Sequence, residues 1–279
     1  MCLKGYKLKN KIFSISKPLA PLRKFNTLTS ELETECIFGE KVVVEKNEPR
    51  WVYCKLLKDG YEGWIKKSSL GISTDPNYKV NTIKTIMFDE PNMKSNPFFS
   101  LTFGAEVFVK FFYGDWAEIH FYNLNKKFKK FIPKDHLICI TKKRKDWVKI
   151  IEKFSGTPYK WGGKSSDGID CSGLIQTAFH FQSNFFPRNT IQQEKLGKKI
   201  LQHKKNTIEL KKFYKKYQNV TRRGDLLFWS GHVAVALNNK DIIHANAFHM
   251  CTQKENICKT YERLFNQGYN VLIIKRLNN

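Results

Sequence analysis

An α+β fold is predicted, with helices plus an antiparallel sheet over residues 146–279 and two small β-barrels before them, at 17–72 and 80–140. Three observations carry this expectation. The first half of the chain repeats itself at an offset of 65 residues. Its segments alternate apolar and polar residues with period two, as half-buried strands do. From Asp146 helical spacing takes over and short apolar strands follow it, which is the order of an α+β layout.

The repeat lays Phe38-Gly39-Glu40-Lys41-Val42-Val43-Val44 over Phe103-Gly104-Ala105-Glu106-Val107-Phe108-Val109 and Trp51 over Trp116. With two extra residues, Gly63-Trp64-Ile65 and Leu70 fall on Lys130-Phe131-Ile132 and Leu137. Each copy runs as a Gly-led strand, a turn, a strand that begins at Trp, a second turn and a short strand ending in Leu. A period this long exceeds that of a solenoid, so duplicated domains are expected. Trp51, Trp64 and Trp116 are expected in the barrel cores.

In the second half, 146–154 has helical spacing and Ser155-Gly156-Thr157-Pro158 stops it. The loop TPYKWGGKSSDGID follows, and then a helix from Cys171 to Phe181 with Leu174, Ile175, Ala178 and Phe179 on one face. Strands are expected over 224–229, 232–237, 242–245 and 271–274. The Lys-rich stretch 198–216 reads as a surface excursion, with His203 in solvent.

The composition bounds the function. With 279 residues, 41% of them hydrophobic, the chain can bury more than one core. Lys plus Arg number 49 against 25 Asp plus Glu, a formal net of +24, which attracts polyanions. No nucleic-acid recognition motif accompanies the charge, so no nucleic-acid partner is expected. The seven cysteines are odd in number and irregularly spaced, which predicts reduced thiols rather than a disulfide framework. The opening MCLKGYKLKNKIFSISKPLAPL lacks an apolar run of export-signal length, and no later run is long enough to span a membrane. A cytoplasmic protein without a membrane partner is expected.

Cys171 is the candidate nucleophile. A thiol reacts as thiolate, and a helix N-terminus favours that anion; Asp170 serves as the N-cap of the helix that starts at Cys171. His232 heads the strand His232-Val233-Ala234-Val235-Ala236-Leu237, Asn238-Asn239 turns, and Asp241-Ile242-Ile243-His244 returns. Folded as a hairpin, the two histidines lie nearly opposite each other, as a base and the group that orients it. The same pair could ligate zinc with His249 and Cys251, but the spacing matches no familiar zinc pattern and no general-base Glu is adjacent. No metal or other cofactor is expected.

In the motifs TPYKWGGKSSDGIDCSGLIQTAF, RRGDLLFW, GHVAVAL and HANA, residues 146–279 resemble the NlpC-type, papain-like cysteine peptidases that cut peptidoglycan stem peptides. DGYEGWI at 59–65 resembles a piece of bacterial SH3-like domains. Together the chain is similar to intracellular γ-D-glutamyl-L-diamino acid endopeptidases of the dipeptidyl-peptidase VI type, which act in murein peptide recycling. The resemblance implies Cys171 as nucleophile, His232 as base, His244 as its orienter and Tyr159 at the oxyanion. It implies stem peptides with a free N-terminal L-Ala as substrates, the amine being held by Asp170 and Ser172 and by Tyr61 and Glu40 of the first barrel. Relatives carry Pro-Arg-Asp followed by Ser or Thr; here Pro187-Arg188-Asn189-Thr190 keeps the substrate-side hydroxyl at Thr190 and loses the carboxylate. Two other classes compete: a non-catalytic module docking on wall polymer or another polyanion, and an amidase or acyltransferase on the same fold.

Overall fold

In the computed structural model, which describes residues 8–204, 210–269 and 271–277, the chain divides into two units. One unit holds the chain up to Lys143 together with 161–167, and the other holds 144–160 and the chain from Gly168 onward.

The first unit contains two seven-stranded sheets of one topology. β1 (Ile12–Ile15), β2 (Leu19–Arg23), β3 (Leu32–Ile37), β4 (Lys41–Asn47), β5 (Trp51–Leu56), β6 (Glu62–Lys66) and β7 (Leu70–Ile72) lie in the order β3-β2-β6-β5-β4-β1-β7. β8 (Tyr78–Val80), β9 (Lys84–Phe88), β10 (Pro97–Thr102), β11 (Glu106–Tyr113), β12 (Trp116–Tyr122), β13 (Lys127–Pro133) and β14 (Leu137–Cys139) repeat it as β10-β9-β13-β12-β11-β8-β14. The first barrel therefore starts at β1, ahead of the expected boundary at 17, and the second at β8. Both are closed by an early strand that pairs with two others, β1 with β4 and β7, β8 with β11 and β14. The repeat extends to single bonds. Gly39 and Gly104 both have positive φ (86° and 79°), and their N–H groups donate to Ile15 and Val80, which are equivalent residues of the two copies.

Strand alternation decides which residues fill each barrel. Val52, Cys54 and Leu56 of β5 are fully buried, which turns Trp51 and Tyr53 to the outer face. The expectation of core tryptophans is corrected accordingly. Trp51, Trp64 and Trp116 are half-buried, Trp64 packing edge-on against Tyr53 and Trp116 against Phe88.

Residues 161–167, expected within the C-terminal domain, belong to the first unit because polar groups of both barrels hold them. They include β15 (Lys164–Ser165). The Lys164 N–H donates to Glu35 (3.0 Å), and the Lys164 ammonium reaches Glu40 at 2.8 Å, both side chains 2% exposed. The Ser166 N–H donates to Thr102 Oγ1 (2.8 Å), and Asp167 pairs with Lys84. The second oxygen of Glu40 accepts the Ile37 N–H at 2.9 Å. This corrects the expectation that Glu40 grips a substrate amine. Its carboxylate is buried and both oxygens are engaged within the first unit.

The second unit comprises α1 (Val148–Glu152), β16 (Gly168–Ile169), α2 (Cys171–Phe181), α3 (Thr190–Gln193), β17 (Lys198–Lys204), α4 (Leu210–Val220), β18 (Leu226–Trp229), β19 (His232–Ala236), β20 (Asp241–Asn246), β21 (Cys251–Asn256), α5 (Ile257–Asn266) and β22 (Val271–Arg276). Its antiparallel sheet runs β17-β22-β18-β19-β20-β21, and α2 packs on β19 and β20. The Lys-rich stretch departs from the expected excursion. Its first part is the edge strand β17, paired with β22; residues 205–209 lie outside the described residues, and α4 follows. Lysine is a fitting edge-strand residue because its charge resists pairing with a further strand. His203 is half-buried, with its Nδ1 on the Tyr261 hydroxyl. Among the described residues no helix is long and apolar enough to cross a membrane.

The Glu40–Lys164 pair should carry much of the first unit's polar stability. Burial by itself would raise the Glu40 carboxyl, but Lys164 and Lys58 outweigh it and hold it below its usual range; burial would lower Lys164, and Glu40 with Asp59 hold it up. A lowered carboxyl stabilises the fold above its unfolded value of about 4.3 and loses that contribution as pH falls through the folded value. The raised ammonium contributes fully below about 10.4 and fades as pH rises through its folded value. Glu40→Ala is expected to lower the unfolding free energy by about 3–5 kcal/mol, since it strands a buried ammonium. Glu40→Leu combined with Lys164→Met should recover most of that loss in urea titrations at neutral pH.

Candidate active site

Asp170 sets the start of α2. It is extended (φ −98°, ψ 175°), and its Oδ1 accepts the Gly173 N–H at 2.7 Å, leaving Cys171 as the first helical residue. The sequence dictates this locally, because a short acceptor side chain precedes a run in which Leu174, Ile175, Ala178 and Phe181 can all be buried. Cys171 is 7% exposed, and its sulfur lies 4.0 Å from Thr190 Oγ1. Burial, and secondly the Asp170 charge, push the thiol up to about 11; the Val233 N–H, the Thr190 hydroxyl and Arg188 oppose the rise.

Arg188 is a member of the site that sequence reasoning passed over. It forms a two-pronged pair with Asp170, Nη1 to Oδ1 at 2.9 Å and Nη2 to Oδ2 at 2.5 Å, and Nη1 also donates to Ser172 Oγ at 2.9 Å. Ser172 in turn donates to Asp170 Oδ1 at 3.2 Å. All three side chains are buried. Asp170 and Ser172, expected to hold an amine, thus sit together with the carboxylate's charge already balanced by a guanidinium. Asn189, where relatives have Asp, precedes α3 with no capping bond from its side chain.

The histidine pair comes from β19 and β20. Val235 pairs with Ile243 and Ala236 with Ile242, so continuing the register sets His244 against Ala234. The two imidazoles are therefore diagonal neighbours on one face rather than directly opposite. His232 Nε2 and His244 Nδ1 are 2.7 Å apart. Burial, then His244 and Arg263, push His232 down to about 3, with Glu255 opposing; burial also lowers His244.

Behind them stands Glu255 of β21. His244 Nε2 is 2.6 Å from its Oε2, His249 Nε2 is 3.1 Å from its Oε1, and Arg263 of α5 clamps both oxygens at 2.6 and 2.8 Å. Burial would raise the Glu255 carboxyl, yet Arg263, His244 and His249 hold it well below the ordinary range. Glu255 stands in a polar run, Thr252-Gln253-Lys254-Glu255, that carries no sequence signal for it; the register with β20 puts it on the face of His244. Both His244 nitrogens face protein partners, and among the described residues no group of three His, Cys, Asp or Glu side chains has metal-holding geometry.

Tyr159, the expected oxyanion donor, is half-buried, and its backbone N–H donates to Met250 at 2.8 Å. Burial, with Cys171 and Asp170 nearby, pushes its phenol up to about 12, so it keeps the proton it would donate. Tyr61 lies in the first unit and gives its hydroxyl to Glu33 at 2.9 Å. The arrangement in the second unit can perform nucleophilic acyl transfer: a thiol at a helix start, an imidazole whose second nitrogen is held, and donors for a developing oxyanion.

Residues 156–267 match the NlpC/P60 family, and residues 22–70 match the bacterial dipeptidyl-peptidase Sh3 domain. A gamma-D-glutamyl-L-lysine dipeptidyl-peptidase of Bacillus subtilis is 27% identical over 61% of this chain and 60% of its own length. A dipeptidyl-peptidase 6 of Lysinibacillus sphaericus is 26% identical over 78% of this chain and 82% of its own length. The chain thus spans about 60% of the Bacillus subtilis relative. A crystal structure of an NlpC/P60 family protein from Bacillus cereus shares the fold, with a TM-score of 0.70 at 18% identity over 95% of this chain and 99% of that one.

The raised thiol and lowered imidazole disfavour either charge alone, so thiolate should form by proton transfer that creates both charges together. His232→Ala is expected to slow alkylation of Cys171 by iodoacetamide at pH 7 by at least about tenfold. The exposed Cys139 should label at an unchanged rate, as peptide mass spectrometry of the two sites would show.

Proposed function

The chain carries an NlpC/P60 domain together with a bacterial dipeptidyl-peptidase Sh3 domain, and from that premise we propose that it is a cysteine peptidase of peptidoglycan stem peptides. The bond it cleaves joins γ-D-Glu to the diamino acid, in peptides whose N-terminal L-Ala is free. The observation that carries the chemistry is the buried Cys171 at the start of α2, with His232 held at its Nε2 by His244. The name of the Bacillus subtilis relative supports the γ-D-glutamyl bond as the target, and that of the Lysinibacillus sphaericus relative supports release of a dipeptide.

In this mechanism Cys171 Sγ attacks the γ-carbonyl carbon as its proton passes to His232. Tyr159 and a backbone N–H at the start of α2 stabilise the oxyanion. The His232 imidazolium then protonates the amine of the diamino acid, the C–N bond breaks, and a thioester remains. Water, deprotonated by His232, releases the L-Ala-γ-D-Glu acid and the thiol. Asp170 and Ser172 hold the free amine, with Arg188 limiting how much charge Asp170 offers. A cytoplasmic location belongs to this proposal, since the described cysteines are all free thiols, as a reducing compartment keeps them.

Incubation with L-Ala-γ-D-Glu-L-Lys and its meso-diaminopimelate counterpart is expected to release L-Ala-γ-D-Glu by mass spectrometry. Cys171→Ala should abolish the product, and N-acetylating the peptide should remove most turnover. Full cleavage of the acetylated peptide would instead indicate a general amidase, and turnover surviving Cys171→Ala would overturn the assignment.

A further inference from the structure

A general base needs its lone pair on a particular nitrogen, and in a buried pair of imidazoles the protons must be allotted by something outside the pair. His232 offers Nε2 to His244, so only Nδ1 is left for the thiol. The bond between them holds one proton, which belongs either to His232 Nε2 or to His244 Nδ1. In the second arrangement a neutral His232 would carry its hydrogen on Nδ1, and it could not accept the proton of Cys171.

We propose that Glu255, locked by Arg263, is a positioning residue that allots these protons and thereby makes His232 Nδ1 the basic atom. This deepens the peptidase assignment and rests on it. A carboxylate only accepts, so His244 Nε2, 2.6 Å from Glu255 Oε2, carries the hydrogen. A neutral His244 then presents a bare Nδ1, which accepts the His232 Nε2–H. His232 Nδ1 is left bare, and it takes the thiol proton. When the imidazolium forms, its Nε2–H stays on His232, and no proton moves to Glu255. The negative charge stabilises the cation through His244.

Three features keep Glu255 a carboxylate acceptor. Arg263 donates to both of its oxygens, His249 meets Oε1, and the guanidinium itself lies 4.0 Å from the Phe248 ring centroid. The charged and titratable groups that act on the imidazoles come from four elements and one loop: Glu255 on β21, Arg263 on α5, the two histidines themselves on β19 and β20, and His249 between β20 and β21; Cys171 belongs to α2, which packs on β19 and β20. Of these only Glu255 contributes a negative charge that raises both imidazoles, with Arg263 opposing it.

Long-range proton–nitrogen correlation of the full chain labelled with 15N-histidine reads the tautomers directly and needs no substrate. Hydrogens on Nε2 of both His232 and His244 are expected; a hydrogen on His232 Nδ1 in the neutral form overturns the proposal. Glu255→Gln keeps the shape and one acceptor, so a merely structural role would leave activity near wild type. Here kcat/KM for the stem peptide, and the rate of Cys171 alkylation, are expected to fall by about 10²-fold or more, within the range of general acid–base catalysis. The acid limb of the pH profile should move to lower pH, since a charge that raises His232 is gone, and Glu255→Asp should restore part of the rate. A Glu255→Gln protein that keeps more than half of both rates with an unmoved acid limb overturns the proposal. Because alkylation and tautomers are read without peptide, an inactive peptide with a responsive thiol would refute the substrate and leave the positioning role standing.

Discussion

Charge is costly where water is excluded, and the active centre of this protein has to make one. Cys171 is 7% exposed, and the sulfur anion it forms has the Asp170 carboxylate as its neighbour. The site answers with compensation at both ends. Arg188 neutralises Asp170 on the thiol side, while on the far side of His232 a line of groups ends in Glu255 and Arg263. Each buried charge therefore has a hydrogen-bonded opposite within reach, the condition under which buried ionic groups are tolerated. In the proposed mechanism the first charges to be created are the thiolate and the imidazolium, and they are created as a pair.

The sheet makes this arrangement reproducible. β19, β20 and β21 are consecutive antiparallel neighbours, so His232, His244 and Glu255 project from adjacent strands with spacing set by the backbone ladder. A one-residue slip between β20 and β21 would turn Glu255 to the opposite face and leave His244 Nε2 without its acceptor. Val233 and Val235 of β19 and Ile242 and Ile243 of β20 are buried and oppose such slips. α5 follows β21 with Asn256 capping it through the Cys258 N–H, and this places Arg263 two turns along, back over Glu255. Catalytic geometry and core packing are here the same constraint.

Much of this was legible in the chain. The offset between Phe38-Gly39 and Phe103-Gly104 foretold two like barrels because a glycine at positive φ leaves the same mark in each copy. Cys171, His232 and His244 were legible because a helix start and a hairpin are local, and local geometry follows from spacing. Glu255, Arg188 and Arg263 were not, for they act through strand register and through a loop after α2, and an isolated Glu or Arg looks like a solvated charge. Glu40 failed the other way. The resemblance implied that it holds a substrate amine, and only the position of Lys164, 124 residues away, shows the carboxylate to be buried. The tryptophans were expected in the barrel cores, whereas the alternation of β5 gives the inner face to Val52, Cys54 and Leu56.

The duplicated barrels share a backbone and differ in chemistry at one turn. At the 65-residue offset Glu40 corresponds to Ala105 and Ile37 to Thr102. The first copy uses that turn to bury a carboxylate against Lys164, and the second uses it to accept the Ser166 N–H at Thr102 Oγ1. Two equivalent turns, diverged in opposite senses, therefore hold Lys164 and Ser166 of one short segment, 161–167, which ends four residues before Cys171 in the chain. Ala105 is fully buried, so a carboxylate placed there would be taken out of water and would cost the second barrel its fit. Divergence at this turn is thus matched to the segment it holds: the first copy sets Glu40 against the Lys164 ammonium, and the second copy sets Thr102 against the Ser166 N–H.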